Sequence, residues 1–259
     1  MEIGVIWLQG AGCTGCSVSL LNLLSPPIND VITGEVVPGK EISLIFHPTI
    51  MASSGSLSLG TLEGKKDFVL VVEGSVPEDE YCEVGGKSFR ERLSELSRDA
   101  VCIIAFGTCS SYGGIPSGSP SPTKSVGVSQ IIKDKPVINI PGCPPHPEWF
   151  LGTVAHIVLF GIPELDEVLR PKLFFERTIH ENCPKRAYYD EMKFARSFGE
   201  DGCLYELGCK GPYTHADCPL REWNGGVNWC IANGSPCIGC TEPFFPDGLS
   251  PFYEKLKEE

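Results

Sequence analysis

The sequence predicts an open α/β domain built on a doubly wound parallel sheet, followed by an irregular cysteine-rich region. Three observations predict it. Over the first 165 residues, short apolar runs alternate with helical patterns across Gly/Pro-rich turns. Most of those runs are near-continuous rather than alternating, as strands covered on both faces of a parallel sheet are. From about Pro171 the periodicity stops and Cys, Gly, Pro and Asn dominate.

In chain order, Ile3–Leu8 reads as the first strand, and it runs into Gly10-Ala-Gly-Cys13-Thr-Gly-Cys16. A helix follows at Ser17–Leu24, then strands at Ile42–Phe46 and Phe68–Val72, and a helix at Ser88–Ser97. Val101–Phe106 is the fourth strand, ahead of a Gly/Ser/Pro-rich loop over 113–125. Val137–Ile140 is the fifth, and Pro147–Phe160 is a helix with proline at its start, where the missing N–H costs nothing. This places one domain at 1–165 and a second at 166–259, the latter ending in the charged tail Lys255–Glu259. The second segment has no long periodic run, so seven Cys and one His there are candidates to organise it through metal.

The chain has 259 residues, 42 % of them hydrophobic and 21 % charged, which suits a globular protein with a sizeable core. A formal charge of −12 repels a phosphate backbone and an anionic lipid surface alike, so neither nucleic acid nor bare membrane is an expected partner. Its most apolar stretch, around 150–162, is interrupted by Gly152, His156 and Gly161 and closed by Pro163, so no transmembrane segment is expected. The N-terminus has an acidic second residue and no basic region ahead of its apolar stretch. The expected location is therefore cytoplasmic; the alternative is periplasmic, if a leader was removed.

Thirteen cysteines are too many to be incidental and too dilute for a disulfide scaffold, and the odd count leaves one outside any all-paired scheme. Three strands end in a cysteine-bearing turn: the first in Cys13 and Cys16, the fourth in Gly107-Thr-Cys109, the fifth in Pro141-Gly-Cys143. Ligands of open α/β sheets sit outside the carboxyl ends of the strands, where these four thiols can converge. Such a set fits a cubane iron–sulfur cluster, with tetrahedral zinc as the rival. A second set is His180, Cys183, Cys203 and Cys209; a lone His is usually a satisfied core or surface residue, but this one opens an HxxC step in a Cys-rich segment. The third is Cys218, Cys230, Cys237 and Cys240, whose CxxC element zinc ribbons share. Cys102, inside an apolar run, reads as a small core hydrophobe, and Cys82, among acidic neighbours, as an exposed free thiol without a catalytic role.

The segments Trp7–Leu21, Glu73-Gly-Ser-Val-Pro, Gly107-Thr-Cys109, Pro141-Gly-Cys143-Pro-Pro-His-Pro, His180-Glu-Asn-Cys183-Pro, Gly208-Cys209-Lys-Gly-Pro and Cys237-Ile-Gly-Cys240-Thr-Glu-Pro closely resemble the small subunit of [NiFe] hydrogenases. The likeness spans nearly the whole chain. It implies a flavodoxin-like domain and an iron–sulfur domain that relay electrons for H2 ⇌ 2 H+ + 2 e−, the chemistry occurring at the Ni–Fe centre of a large-subunit partner. By resemblance, Cys13, Cys16, Cys109 and Cys143 hold a proximal [4Fe-4S] cluster, and His180, Cys183, Cys203 and Cys209 the distal one. Many members have proline where Cys230 stands and bind a [3Fe-4S] cluster centrally. Here Cys218, Cys230, Cys237 and Cys240 imply a third [4Fe-4S] cluster, as in the selenium-containing [NiFeSe] subgroup that this chain looks most like. Oxygen-tolerant members add cysteines where this chain has Gly15 and Gly114, so an ordinary proximal cubane is expected. The chain itself would supply no catalytic acid or base; an external carrier such as a cytochrome, a ferredoxin or a further redox subunit would take the electrons. A quinone-reductase subunit of respiratory complex I resembles the N-terminal domain, but that family lacks the C-terminal cysteines and carries adjacent ones.

Overall fold

A computed structural model of the chain describes residues 2–33, 35–37 and 39–256. The central sheet has six strands, β1 (Glu2–Gln9), β2 (Glu35–Val37), β3 (Lys40–Phe46), β4 (Phe68–Glu73), β7 (Ala100–Phe106) and β8 (Val137–Ile140). Between β4 and β7 lies a two-stranded hairpin, β5 (Glu83–Val84) with β6 (Lys87–Ser88). The order is β2-β3-β1-β4-β7-β8, with every pair parallel except β2 and β3. Leaving out the antiparallel edge, the parallel strands follow the flavodoxin-like order in which the second strand flanks the first and the third to fifth extend the other side. The five expected strands and the doubly wound class are therefore present; β2 and the hairpin were not expected.

Both faces are covered, which is why the strands are continuously apolar. On one face Val5, Trp7, Val71, Ile104 and Ile138 pack beneath the helix Pro147–Phe160, through Trp149, Phe150 and Val154. On the other, Ile6, Leu70 and Ile103 meet Phe89 and Leu93 of the helix Phe89–Asp99. That helix opens on Ser88, whose hydroxyl accepts from Glu91 N at 3.2 Å.

The first of these cores continues into the cysteine-rich region through Phe174, Phe175, Ile179, Leu204 and Trp229. Beyond residue 165 the described chain forms no strand; it contains helices of four or five residues, such as Lys172–Phe175 and Arg186–Asp190, and short 3-10 turns. A buried ion network fastens it: Arg170 donates to Asp166 at 2.7 Å and to Glu242 at 2.9 Å.

Candidate metal centres

The sheet register builds the first site. Gln9 pairs with Glu73, Glu73 with Phe106 and Phe106 with Ile140, so four strands end on one rung. The next residues of β1, β7 and β8 are the turns that carry Cys13 and Cys16, Cys109, and Cys143. These four thiols line one cavity of about 150 Å³, together with Glu73 and Gly142. Glycine is required there: Gly107 has φ +105°, and a Cβ on it would lie 2.5 Å from Cys16 Sγ. Gly114 has φ +53°, and its Cβ would lie 2.8 Å from the Cys109 nitrogen. The Cys16 thiol is pushed far up, first by burial and then by Glu73, Cys109, Cys13 and Cys143. Burial likewise raises Cys109, to about 11.

Glu73, the one charged residue closing the buried strand β4, is itself 2 % exposed. Its carboxylate accepts from Trp7 Nε1 at 3.0 Å, Gln9 Nε2 at 2.9 Å, Ser17 N at 3.0 Å and the Ser17 hydroxyl. His47 completes the group. Thr49 N donates to its Nδ1 at 3.2 Å, which leaves the proton on Nε2, 3.2 Å from Ser17 Oγ.

His180, Cys183, Cys203 and Cys209 line a second pocket. Burial, with Arg186 beside it, holds His180 below the ordinary histidine range against Asp190 and Glu181, so its imidazole is neutral. Its ring packs edge-on against Tyr189 at 4.5 Å. Cys209 is pushed up to about 11 by burial. Cys218, Cys230, Cys237 and Cys240 act electrostatically on one another, Cys218 on Cys230 and Cys240, and Cys237 on Cys240. This third set also bonds to both others. Thr108, next to Cys109, donates its hydroxyl to the Cys240 carbonyl, and Lys210 N, next to Cys209, donates to the Cys237 carbonyl at 2.8 Å. The third set therefore lies between the first and second. Among the described residues, no group of three or more His, Cys, Asp or Glu is gathered as a single-ion site.

Residues 175–253 match the family of the C-terminal region of the NiFe/NiFeSe hydrogenase small subunit, and residues 13–157 match the family of the 20 Kd subunit of NADH ubiquinone oxidoreductase. Over 278 residues the chain is 46 % identical to the periplasmic [NiFeSe] hydrogenase small subunit of Desulfomicrobium baculatum, covering 96 % of this chain and 86 % of that one. The chain is a hydrogenase small subunit of the NiFe/NiFeSe family. It is also 42 % identical over 263 residues to the periplasmic [NiFe] hydrogenase small subunit of Solidesulfovibrio fructosivorans, covering 97 % and 81 %. A crystal structure of the reduced, active Ni-Fe-Se hydrogenase from Desulfomicrobium baculatum superposes with a TM-score of 0.91 at 44 % identity, over 98 % of this chain and 100 % of that one.

As a small subunit it works in a heterodimer with a large subunit, as an electron-transferring partner in the oxidation and production of H2. No helix among the described residues is long and apolar enough to cross a membrane. Cys102 is buried in β7 and burial lifts its thiol to about 11, as a core hydrophobe requires, while Cys82 is half-buried rather than exposed. Sequence reasoning assigned no role to Glu73, His47 or Lys210. A carboxylate ending a wholly apolar strand is a readable signal for Glu73. Lys210 sits beside Cys209 and is 1 % exposed, its ammonium disfavoured by burial and favoured by Cys209, Glu254 and Cys237. Its spacing in the sequence carries no such signal.

Proposed function

We propose that this subunit binds three [4Fe-4S] clusters: a proximal one on Cys13, Cys16, Cys109 and Cys143, a middle one on Cys218, Cys230, Cys237 and Cys240, and an exit one on His180, Cys183, Cys203 and Cys209. The observation that carries it is the first cavity, a space of about 150 Å³ ringed by four thiols from three strand ends. Tetrahedral zinc draws its sulfurs in to about 2.3 Å from one point. A ring of thiols around a cavity suits a multi-atom cluster better. The clusters, when bound, supply one-electron carriers between the Ni–Fe centre of the large subunit and an external cytochrome, ferredoxin or further redox subunit.

The protein's own part is ligation, burial and hydrogen bonding to sulfur. Gly211 N–H donates to Cys209 at 3.4 Å and Gly239 N–H to Cys237 at 3.5 Å. The strained backbone at Gly114 and the tight contact of Gly15 with Cys13, 3.1 Å from a Cβ, favour an ordinary proximal cubane over one with added cysteines. His180, half-buried and neutral, supports an exit at the surface. The exposed Cys13, with Val18 and Leu24 exposed nearby, supports a proximal site that faces the large subunit.

The expected cytoplasmic location has no support from the Desulfomicrobium and Solidesulfovibrio relatives, both of which are named periplasmic. We adopt the periplasm, which cell fractionation with an anti-subunit antibody tests.

Iron and sulfide assay of the heterodimer tests the ligand sets. About twelve irons on this subunit are expected, four to each set. A strong [3Fe-4S] EPR signal from intact, oxidised protein overturns the assignment of Cys230, and zinc in place of iron overturns the reading.

A further inference from the structure

A lysine ammonium has no natural place in a protein interior without an anion beside it. Lys210 is 1 % exposed, and its Nζ donates to the carbonyl oxygens of Pro251, at 3.3 Å, and Glu254. Both partners are neutral dipoles. The residue directly follows Cys209 of the exit set and reaches the middle set through its own backbone. Its backbone joins the same two sets: Lys210 N donates to the Cys237 carbonyl at 2.8 Å, and Lys210 O accepts from Thr214 Oγ1 at 2.7 Å. Thr214 Oγ1 in turn lies 3.7 Å from Cys237 Sγ.

The carbonyls that hold the ammonium come from the C-terminal segment 251–254, which crosses directly over the chain entering Cys209. A Cβ on Gly208 would lie 2.4 Å from the Glu254 nitrogen and 2.6 Å from the Tyr253 carbonyl carbon. The segment is thereby pressed against the backbone that carries the exit ligand, and it shields the ammonium from solvent.

We propose that Lys210 is a fixed counter-ion shared by the middle and exit clusters, which raises the reduction potential of both and pins residues 251–254 over them. The inference rests on the ligand sets proposed above. Thiolate ligation gives each site excess negative charge, so each added electron is opposed by that charge. A buried cation on a residue that adjoins Cys209 and bonds to Cys237 lowers that opposition at both, while the proximal set, to which Lys210 makes no bond, is affected least.

The test uses the assembled heterodimer with Lys210→Gln, which keeps a donor for the carbonyls and removes the charge, and Lys210→Arg, which keeps the charge. EPR-monitored redox titration is the readout, with iron content and protease sensitivity of the C-terminal segment measured on the same samples. Lys210→Gln is expected to lower the midpoints of the middle and exit clusters, leave the proximal midpoint in place and expose 251–254 to cleavage. Lys210→Arg is expected to match the wild type in potential. Loss of iron from the middle and exit sets in Lys210→Gln, with retention in Lys210→Arg, also supports the charge. Unchanged midpoints in fully loaded Lys210→Gln overturn the proposal, as does an equal shift of all three clusters or loss of iron from both variants. A wild-type enzyme with only about four irons on this subunit overturns the ligand sets themselves, and is recognised before any variant is compared.

Discussion

The side chains of Glu73 and His47 are both buried, and burial holds His47 in its neutral form. Glu73 collects donors from Trp7, Gln9 and Ser17, so it stands as an acceptor beside Cys16. Burial holds His47 down at about 4 against the pull of Glu73, from an ordinary 6.5. Below pH 6.5 the unfolded chain takes up a proton that folded His47 refuses until about pH 4. The unfolded state then binds more protons, and stability falls as the pH falls through that window, by at most about 3 kcal/mol. His47→Gln is expected to be less stable at neutral pH and less sensitive to acid, checked by chemical denaturation of the heterodimer at about pH 7.5 and about pH 4.5. An equal loss between the two conditions in wild type and variant speaks against the neutral, Ser17-directed imidazole. His180 is also held neutral, with its lone pair available to a metal. His180→Ala is expected to slow H2 oxidation coupled to an external dye and to spare hydrogen–deuterium exchange, which needs no net electron flow out of the enzyme. Persistence of both activities, with iron content unchanged, returns His180 to a surface role.

At the scale of elements, the site depends on strands that end together and on backbone that only glycine can follow. Gly107 turns the chain out of β7 at φ +105° toward Cys109, and Cys16 occupies the space a side chain would need. Gly107→Ala is expected to destabilise the subunit on the order of 1–3 kcal/mol and to displace the proximal cluster. The measured iron is expected to fall by about four per heterodimer while the exit-cluster EPR signal persists. The five parallel strands were legible because burial on both faces leaves uninterrupted apolar runs. β2 was not, because it is three residues long and pairs irregularly with the strand just after it, Glu35 with Glu41 and Val37 with Lys40, and the β5–β6 hairpin hides in two-residue strands around Gly85 and Gly86. The first helix was expected at Ser17–Leu24 and lies at Gly15–Leu21. It starts earlier because Thr14, at φ 61°, turns the chain without a side-chain cap, and so Cys16 falls within its first turn. The C-terminal region was expected to bury little apolar surface by itself; it does so against the sheet, through Phe174, Phe175 and Trp229. The twelve proposed ligands stood out by residue type and spacing. Glu73 was marked only by its place at the end of an apolar strand, and His47 and Lys210 not at all, since their roles come from partners brought near only by folding, as Ser17 is to His47.

At the scale of the whole molecule, a chain with a formal charge of −12 still leaves a cluster of large apolar side chains in water. Val18 is 56 % exposed and Leu24 65 % exposed, on and just beyond the helix that carries Cys16. They border a cleft of about 570 Å³ that Leu23, Pro144 and Trp223 also line. Leu57 and Ile115 are exposed as well, in the short helices Gly55–Gly60 and Gly114–Ser117, the second of which interrupts the expected loop over 113–125. A stable heterodimer interface buries well over about 1,000 Å², and the apolar patch next to the exposed Cys13 is the face we propose for it. The cost of leaving it uncovered falls on the proximal site twice. The patch drives self-association, and the four thiols, open to solvent at Cys13 and Cys143, are open to oxidants. Expression without the large subunit is therefore expected to give aggregated protein, or protein depleted in the proximal cluster before the exit one. Hydrogen exchange of residues 15–24 and 113–119 is expected to slow in the heterodimer. Size-exclusion chromatography of the chain alone, read with its iron content, decides the matter: a monodisperse monomer carrying all its iron would mean that this face needs no cover and that the large subunit docks elsewhere.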